Sequence, residues 1–257
     1  MTAERVDILG LQVSNISFDQ ALGQVKELVR NRVPSYVCFA NSHMVIEAKK
    51  DKSFANDVNG ATLVLADGMP VARAFYLLQN KKQERIAGMD FMPRLLAALN
   101  EDRNTHYRIS FYGSTSDVLN ALEKTVTVKF KNIIVAGKES PPFKTMEKWE
   151  QDIYITAINN TRPDIVFVGL GCPKQEKWMA KNSKKINAVL LGVGGAFLTT
   201  AGMQKRAPRW MQNTSLEWLY RLVQEPGRLF KRYLTTNSFF IYLMIKALLK
   251  KLFYGRV

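Results

Sequence analysis

Asp67 ends the apolar run "TLVLA" and is followed by Gly68 and Pro70 in "LVLADGMPV". A carboxylate where a buried strand opens into a cleft is partly shielded from water. That desolvation lifts its pKa toward the range of a useful general base. The same position also suits a cap for a helix starting at Met69. Asn41 closes "YVCFAN" in a similar way, and offers polar groups either to a substrate or to a turn or cap of its own. Three glycine-marked turns follow apolar runs and precede helical patterns: Asp67-Gly68, Gly113 in "FYGSTSDV", and Gly169 with Gly171 in "VGLGCPKQEKW". Loops of this kind aim free backbone N–H groups and a positive helix end at a diphosphate. "GLGCPK" lacks the last glycine of a dinucleotide fingerprint and no GxxxxGK[ST] loop is present. Each turn taken singly is also an ordinary strand-to-helix connection.

The chain has 2 histidines, His43 and His106, and 2 cysteines, with no HxxxH, HExxH, Cys/His cluster or DxD pair. The expectation is therefore metal-independent chemistry without a cofactor. Arg and Lys then have to neutralise a substrate diphosphate. Arg221, Arg228 and Arg232 are spaced by 7 and 4, which shares one face of a continuous helix, although Pro226-Gly227 can break that helix. Solvated surface or lipid-headgroup contact is the competing reading of each arginine. Glu217 and Glu225 sit among these cations and are expected to pair with arginines.

Around these residues, apolar runs near 6–13, 35–40, 61–66, 107–112, 132–136, 164–169 and 187–193 read as strands. Amphipathic stretches lie between them, such as "FDQALGQVKELV" after Ser17, with Gln20 completing a capping box. The helix after Gly113 is expected to be capped by Ser114 or Ser116, and the helix after Gly171 to be opened by Pro173. This alternation predicts an α/β fold, a Rossmann-like, mostly parallel sheet with helices on both faces and ligands at the strands' carboxyl ends.

A chain of 257 residues with 47% hydrophobic content can bury a full core. Neither a signal peptide nor a spanning helix is expected. Cys38 and Cys172 lie in apolar runs and read as buried hydrophobes in a reducing compartment. Of the net charge of +15, residues 201–257 carry 11 Lys or Arg against 2 Asp or Glu. The chain is therefore divided into a catalytic core, 1–201, and a helical, basic appendage, 202–257. "FFIYLMIKALLKKLFY", residues 239–254, sets Lys246, Lys250 and Lys251 among large apolar side chains. That pattern fits a helix lying in an anionic membrane surface. It is too oily for a nucleic-acid tail, so no nucleic acid is expected. A core helix or a helix forming a homo-oligomer is the alternative. Trp210, Trp218 and Tyr220 either cover the core's edge or sit at headgroup level.

Read in order, "FANSHMVIEA", "LADGMPV", "RIAGMDFMPRLL", "FYGSTSDVLNALE", "RPDIVFVGLGCPKQEKWM", "GVGGAFLTTAG" and "RAPRWMQNTSLEWLYRLVQEPGRLFKRYL" resemble the WecG/TagA/CpsF family of bacterial glycosyltransferases, over roughly residues 5–237. The resemblance implies an inverting transferase that moves a hexose, often N-acetylmannosamine, from a UDP-sugar donor. The implied acceptor is a polyprenyl-diphosphate-linked sugar, at the cytoplasmic face of the bacterial membrane, in teichoic acid or surface polysaccharide synthesis. It further implies Asp67 as the base and Asn41, Arg85 and Gln175 as residues lining the site. Arg221 and Arg228, with Lys231 or Arg232, are implied to close over the diphosphate when the tail engages the membrane. Members often have a threonine two residues before the asparagine, where this chain has Phe39, and this leaves the sugar open. The rival readings are a nucleotide-dependent oxidoreductase on a doubly wound sheet and a peripheral membrane adaptor without activity.

Overall fold

The structure, a computed structural model, describes residues 3–142, 148–214 and 216–254, without the side chains of 148–151, 209, 213, 228, 232 and 254. In chain order the elements are β1 (Glu4–Ile8), β2 (Leu11–Asn15), α1 (Phe18–Arg30), β3 (Ser35–Ala40), α2 (Ser42–Lys50), α3 (Lys52–Asn59), β4 (Leu63–Ala66), α4 (Met69–Gln79), α5 (Gly88–Asn100) and β5 (Tyr107–Gly113). There follow α6 (Ser116–Lys129), β6 (Ile133–Glu139), α7 (Lys148–Asn160), β7 (Ile165–Gly169), α8 (Lys174–Asn182), β8 (Val189–Gly192), α9 (Ala196–Thr200), α10 (Arg209–Asn213), α11 (Glu217–Gln224) and α12 (Pro226–Tyr254).

Among the described residues, six strands form a parallel sheet in the order β4-β3-β8-β7-β5-β6. Alternate residues of each central strand feed opposite cores. Tyr36, Cys38 and Ala40 of β3, Val64 and Ala66 of β4, and Val166 and Val168 of β7 face α2, α3, α4 and α8. Val37, Phe39, Leu63, Leu65, Ile165 and Phe167 face α1, α5, α6 and α9. A sheet covered on both faces is apolar at every position, which is why these strands are unbroken apolar runs in the sequence. The capping box at Ser17 and Gln20 forms as expected.

Two local expectations are corrected. The run 6–13 is a hairpin, β1 antiparallel to β2, because Leu9 and Gly10 both take positive φ and turn the chain. Thr115, not Ser114 or Ser116, caps α6, since Ser114 is held at φ +68° and Thr115 Oγ1 accepts from Val118 N. Pro226 opens α12 and separates it from α11, so the arginines from 221 to 232 do not share one continuous helix.

The long helix α12, about 43 Å at 1.5 Å per residue, rests on α2 and α4. Leu229, Phe240, Met244 and Ala247 are its buried side. Ile241, Ile245, Leu249 and Leu252, spaced by four, four and three, are exposed and form a second apolar stripe. Lys246 and Lys250 are exposed, while Lys251 Nζ donates to the carbonyl of Leu77 at 3.2 Å. Among the described residues no helix is long and apolar enough to cross a membrane.

The ends of β5 and β7 meet at glycines. Gly113 pairs with Gly169, and a Cβ on Gly113 would lie 2.7 Å from the Gly169 carbonyl carbon, at a φ of +106°. Gly113→Ala should lower the unfolding free energy in a urea titration by at least about 2 kcal/mol, combining left-handed strain with overpacking.

Candidate active site

Backbone hydrogen bonds set Asp67 in place. Its N–H donates to the carbonyl of Ala40 at 2.8 Å, which carries the β3–β4 ladder one residue beyond the strands and sets Asp67 beside Asn41. Ile86 N donates to the carbonyl of Ala66 at 2.7 Å, so the segment before α5 returns along the end of β4 and delivers Arg85 to the same spot. Gly68, at φ +103°, occupies the N-cap of α4 without a side-chain cap bond, so the Asp67 carboxylate is not spent as a cap. Asn41 does cap α2, through Oδ1 accepting from Met44 N at 3.2 Å. Its amide nitrogen makes no hydrogen bond among the described residues. Phe39, two residues earlier, is buried against Phe91, with ring centres 5.4 Å apart, and belongs to the core below the site.

The appendage lies over this carboxylate. Asp67 keeps some exposed surface as a residue, but its carboxyl is enclosed, and burial raises its pKa to about 7. Arg85 and Arg221 act in the opposite sense, while Glu217 and Asp90 push the same way as burial. Glu217 pairs with Arg85 at 3.0 Å, as expected for a carboxylate among arginines. Glu225 accepts from Gln204 Nε2 at 2.8 Å.

Arg221 stands beside this cluster without an ion pair among the described residues. A Cβ on Gly195, at the turn between β8 and α9, would lie 3.2 Å from its Nη2. Its Nε is buried without a hydrogen-bond partner, and the guanidinium forms no ion pair among the described residues. The residue is half-buried, and a buried N–H without an acceptor is costly unless a ligand supplies one. Lys231 is exposed on α12 and makes no ion pair among the described residues. The side chains of Arg228 and Arg232 lie outside the described residues.

The glycine loops act more as scaffold than the sequence suggests. A Cβ on Gly169 would meet the Phe197 ring at 2.6 Å, so this glycine permits close packing beneath the site. Gly171, at φ +79°, has open space around it, but its N–H already donates to Gln175 Oε1 at 3.2 Å. Gln175 Nε2 donates to the carbonyl of Gly192 at 2.8 Å and to Glu176 Oε1 at 2.7 Å. Gln175 thereby staples the ends of β7 and β8 together. Glu176 is fully buried, and burial raises its pKa to about 7.

Arg206 and Asp90 escaped the sequence reading. Asp90 lies in the first turn of α5 and reads as a helix-dipole carboxylate, and Arg206 reads as one of many basic residues. They meet across 116 positions of sequence, a separation that leaves no local signal. Among the described residues, no three or more His, Cys, Asp or Glu side chains gather in an arrangement that could hold a metal.

The model of the glycosyl transferase WecG/TagA/CpsF family matches residues 6–253. The chain belongs to this family. As a member it is a glycosyltransferase, and the oxidoreductase and adaptor readings are not favoured. It is 32% identical to the N-acetylglucosaminyldiphosphoundecaprenol N-acetyl-beta-D-mannosaminyltransferase of Bacillus subtilis (strain 168), over 90% of this chain and 87% of that protein. It is 28% identical to the protein of the same name in Staphylococcus aureus (strain MW2), over 95% of this chain and 93% of that one.

Asp67→Asn should reduce turnover by about 10²–10⁴-fold, the usual contribution of a general base. A base works as the carboxylate, so wild-type kcat/KM should rise about tenfold per pH unit below roughly pH 7 and level off above it. Initial rates across pH check both. Glu176 binds a proton in the folded chain that the unfolded chain releases above about pH 4. Its stabilising contribution is therefore present at acid pH and fades as pH rises through about 7. Glu176→Gln should flatten that decline in thermal unfolding measured from pH 4 to pH 8.

Proposed function

We propose that this glycosyltransferase moves N-acetylmannosamine from a UDP-sugar donor to an N-acetylglucosamine carried on a polyprenyl diphosphate, with inversion at the anomeric carbon. The single observation that carries the reading is Arg221, half-buried with its Nε buried and without a hydrogen-bond partner, which acts electrostatically on the enclosed Asp67 carboxyl. That arrangement lacks only an anion, and both substrates are diphosphates. The names of the relatives support the sugar and the lipid-linked acceptor.

In the proposed reaction Asp67 takes the proton of an acceptor hydroxyl. The oxygen bonds to the anomeric carbon of the donor from the side opposite the nucleotide. The bond to UDP breaks and its electron pair leaves with the phosphate. Arg221 and Arg85 meet the charge that develops there, with Arg228, Lys231 and Arg232 available at the start of α12. Asn41 binds a sugar hydroxyl through the amide nitrogen that its capping role leaves free. Preorganised donors aimed at a leaving group in an enclosed site contribute more than the same donors in water.

The acceptor's lipid tail calls for a membrane surface, and α12 suits one. Its exposed stripe of Ile241, Ile245, Leu249 and Leu252, with Lys246 and Lys250 nearby, fits a helix lying at the cytoplasmic face of an anionic bilayer. Held there as a peripheral protein, the site would meet the acceptor in two dimensions, which reduces the entropy lost on encounter.

Incubation with UDP-N-acetylmannosamine and a short-chain lipid-diphosphate N-acetylglucosamine should release UDP, whereas UDP release from no UDP-sugar would refute the reading. In the same assay Arg221→Ala should lower kcat by about 10²-fold or more. Charged substitutions at Ile245 and Leu249, both solvent-facing, should abolish sedimentation with anionic vesicles without unfolding the chain.

A further inference from the structure

Two guanidiniums and two carboxylates form a closed ring within electrostatic reach of Asp67. Arg85 Nη1 donates to Glu217 Oε2 at 3.0 Å, and Arg85 Nη2 to Asp90 Oδ2 at 2.9 Å. Arg206 Nη2 donates to Asp90 Oδ2 at 2.9 Å, and Arg206 Nη1 pairs with Asp90 Oδ1. Arg206 Nε lies 3.6 Å from Glu217 Oε1, too far for a hydrogen bond, and is itself buried without a partner. The Glu217 carboxylate therefore spans Arg85 and Arg206, one oxygen toward each.

Planar guanidinium forks bind carboxylate and phosphate oxygens by the same geometry, and phosphate carries more charge. An exposed ion-pair ring contributes little to stability. This one is largely shielded, with the Arg85 side chain only 15% exposed. Two unpaired guanidiniums in such a place would be costly, and next to Asp67 they would hold its carboxyl ionised and weakly basic. An internal carboxylate resolves both problems until a ligand anion arrives.

We infer that Arg85 and Arg206 form an anion cradle for a substrate diphosphate, and that Glu217 is its built-in occupant, displaced into solvent when the diphosphate binds. The nature of the ligand rests on the glycosyl-transfer reading. The shared chemistry is a diphosphate, from either the nucleotide or the lipid. Glu217 is in the first turn of α11 and Arg221 follows four residues later on the same face. Exchange at Glu217 thus passes α11 from an internal ion pair to the ligand that Arg221 also meets.

The test is equilibrium binding of inorganic pyrophosphate, UDP and farnesyl diphosphate to the full chain and to Glu217→Gln, Arg206→Gln and the double variant. Without the internal competitor, Glu217→Gln should bind at least one of these probes about fivefold tighter or more. Arg206→Gln should bind the same probe more weakly, and the double variant should show no gain. Tightening toward UDP alone assigns the cradle to the donor, and tightening toward farnesyl diphosphate alone assigns it to the acceptor. A folded Glu217→Gln that binds every probe no tighter than wild type overturns the inference and leaves Glu217 as a strut for α11. Should that variant not fold, Asp90→Asn, which removes the ring's other anion, must give the tightening or the inference fails. Tighter pyrophosphate binding by Glu217→Gln in a chain that turns over no UDP-sugar would keep the cradle and reject the glycosyl-transfer reading.

Discussion

Desolvation of one carboxylate organises this molecule. An aspartate in water is ionised at neutral pH and too weak a base to take a proton from a sugar hydroxyl. Enclosing the Asp67 carboxyl raises its pKa to about 7, where it is still ionised for much of the time and suits the proposed role of base. The fold meets that requirement by ending a buried strand at the residue, returning the chain past it at Ile86, and covering it with residues that follow the sheet.

The cover carries its own electrostatic cost. Arginines that would stabilise a departing diphosphate also favour the carboxylate form of Asp67 and would undo the effect of burial. The structure answers with interleaved acids: Asp90 and Glu217 neutralise Arg85 and Arg206, while Arg221 is left without an ion pair among the described residues. On the proposed roles, base strength and anion affinity are balanced within one cluster built from residues 67–90 and 206–221. Residues 202–257 supply part of the field that acts on Asp67, through Glu217 and Arg221.

Much of the fold was legible in the sequence because a sheet covered on both faces leaves a plain trace. The strands of the sheet appear as apolar runs, and glycine marks the carboxyl ends of β4, β5, β7 and β8. The β1–β2 hairpin was not legible: its alternation continues through Leu9-Gly10, and only the positive φ values show the turn. Asp67 was legible as either a base or a cap, and the placement of Gly68 at the cap position decides against the cap. Family resemblance pointed to Gln175 as lining the site, yet its amide is committed to Gly171, Gly192 and Glu176. The charged ring was out of reach, because its members come from two segments, around 85–90 and 206–217, more than a hundred residues apart, with no local signal that joins them.

The enclosure of Asp67 is tested most directly by a carbon-13 NMR titration of its carboxyl in the full chain, assigned by comparison with Asp67→Asn. A midpoint near pH 7 is expected. A midpoint near pH 4, the ordinary range for aspartate, would contradict it.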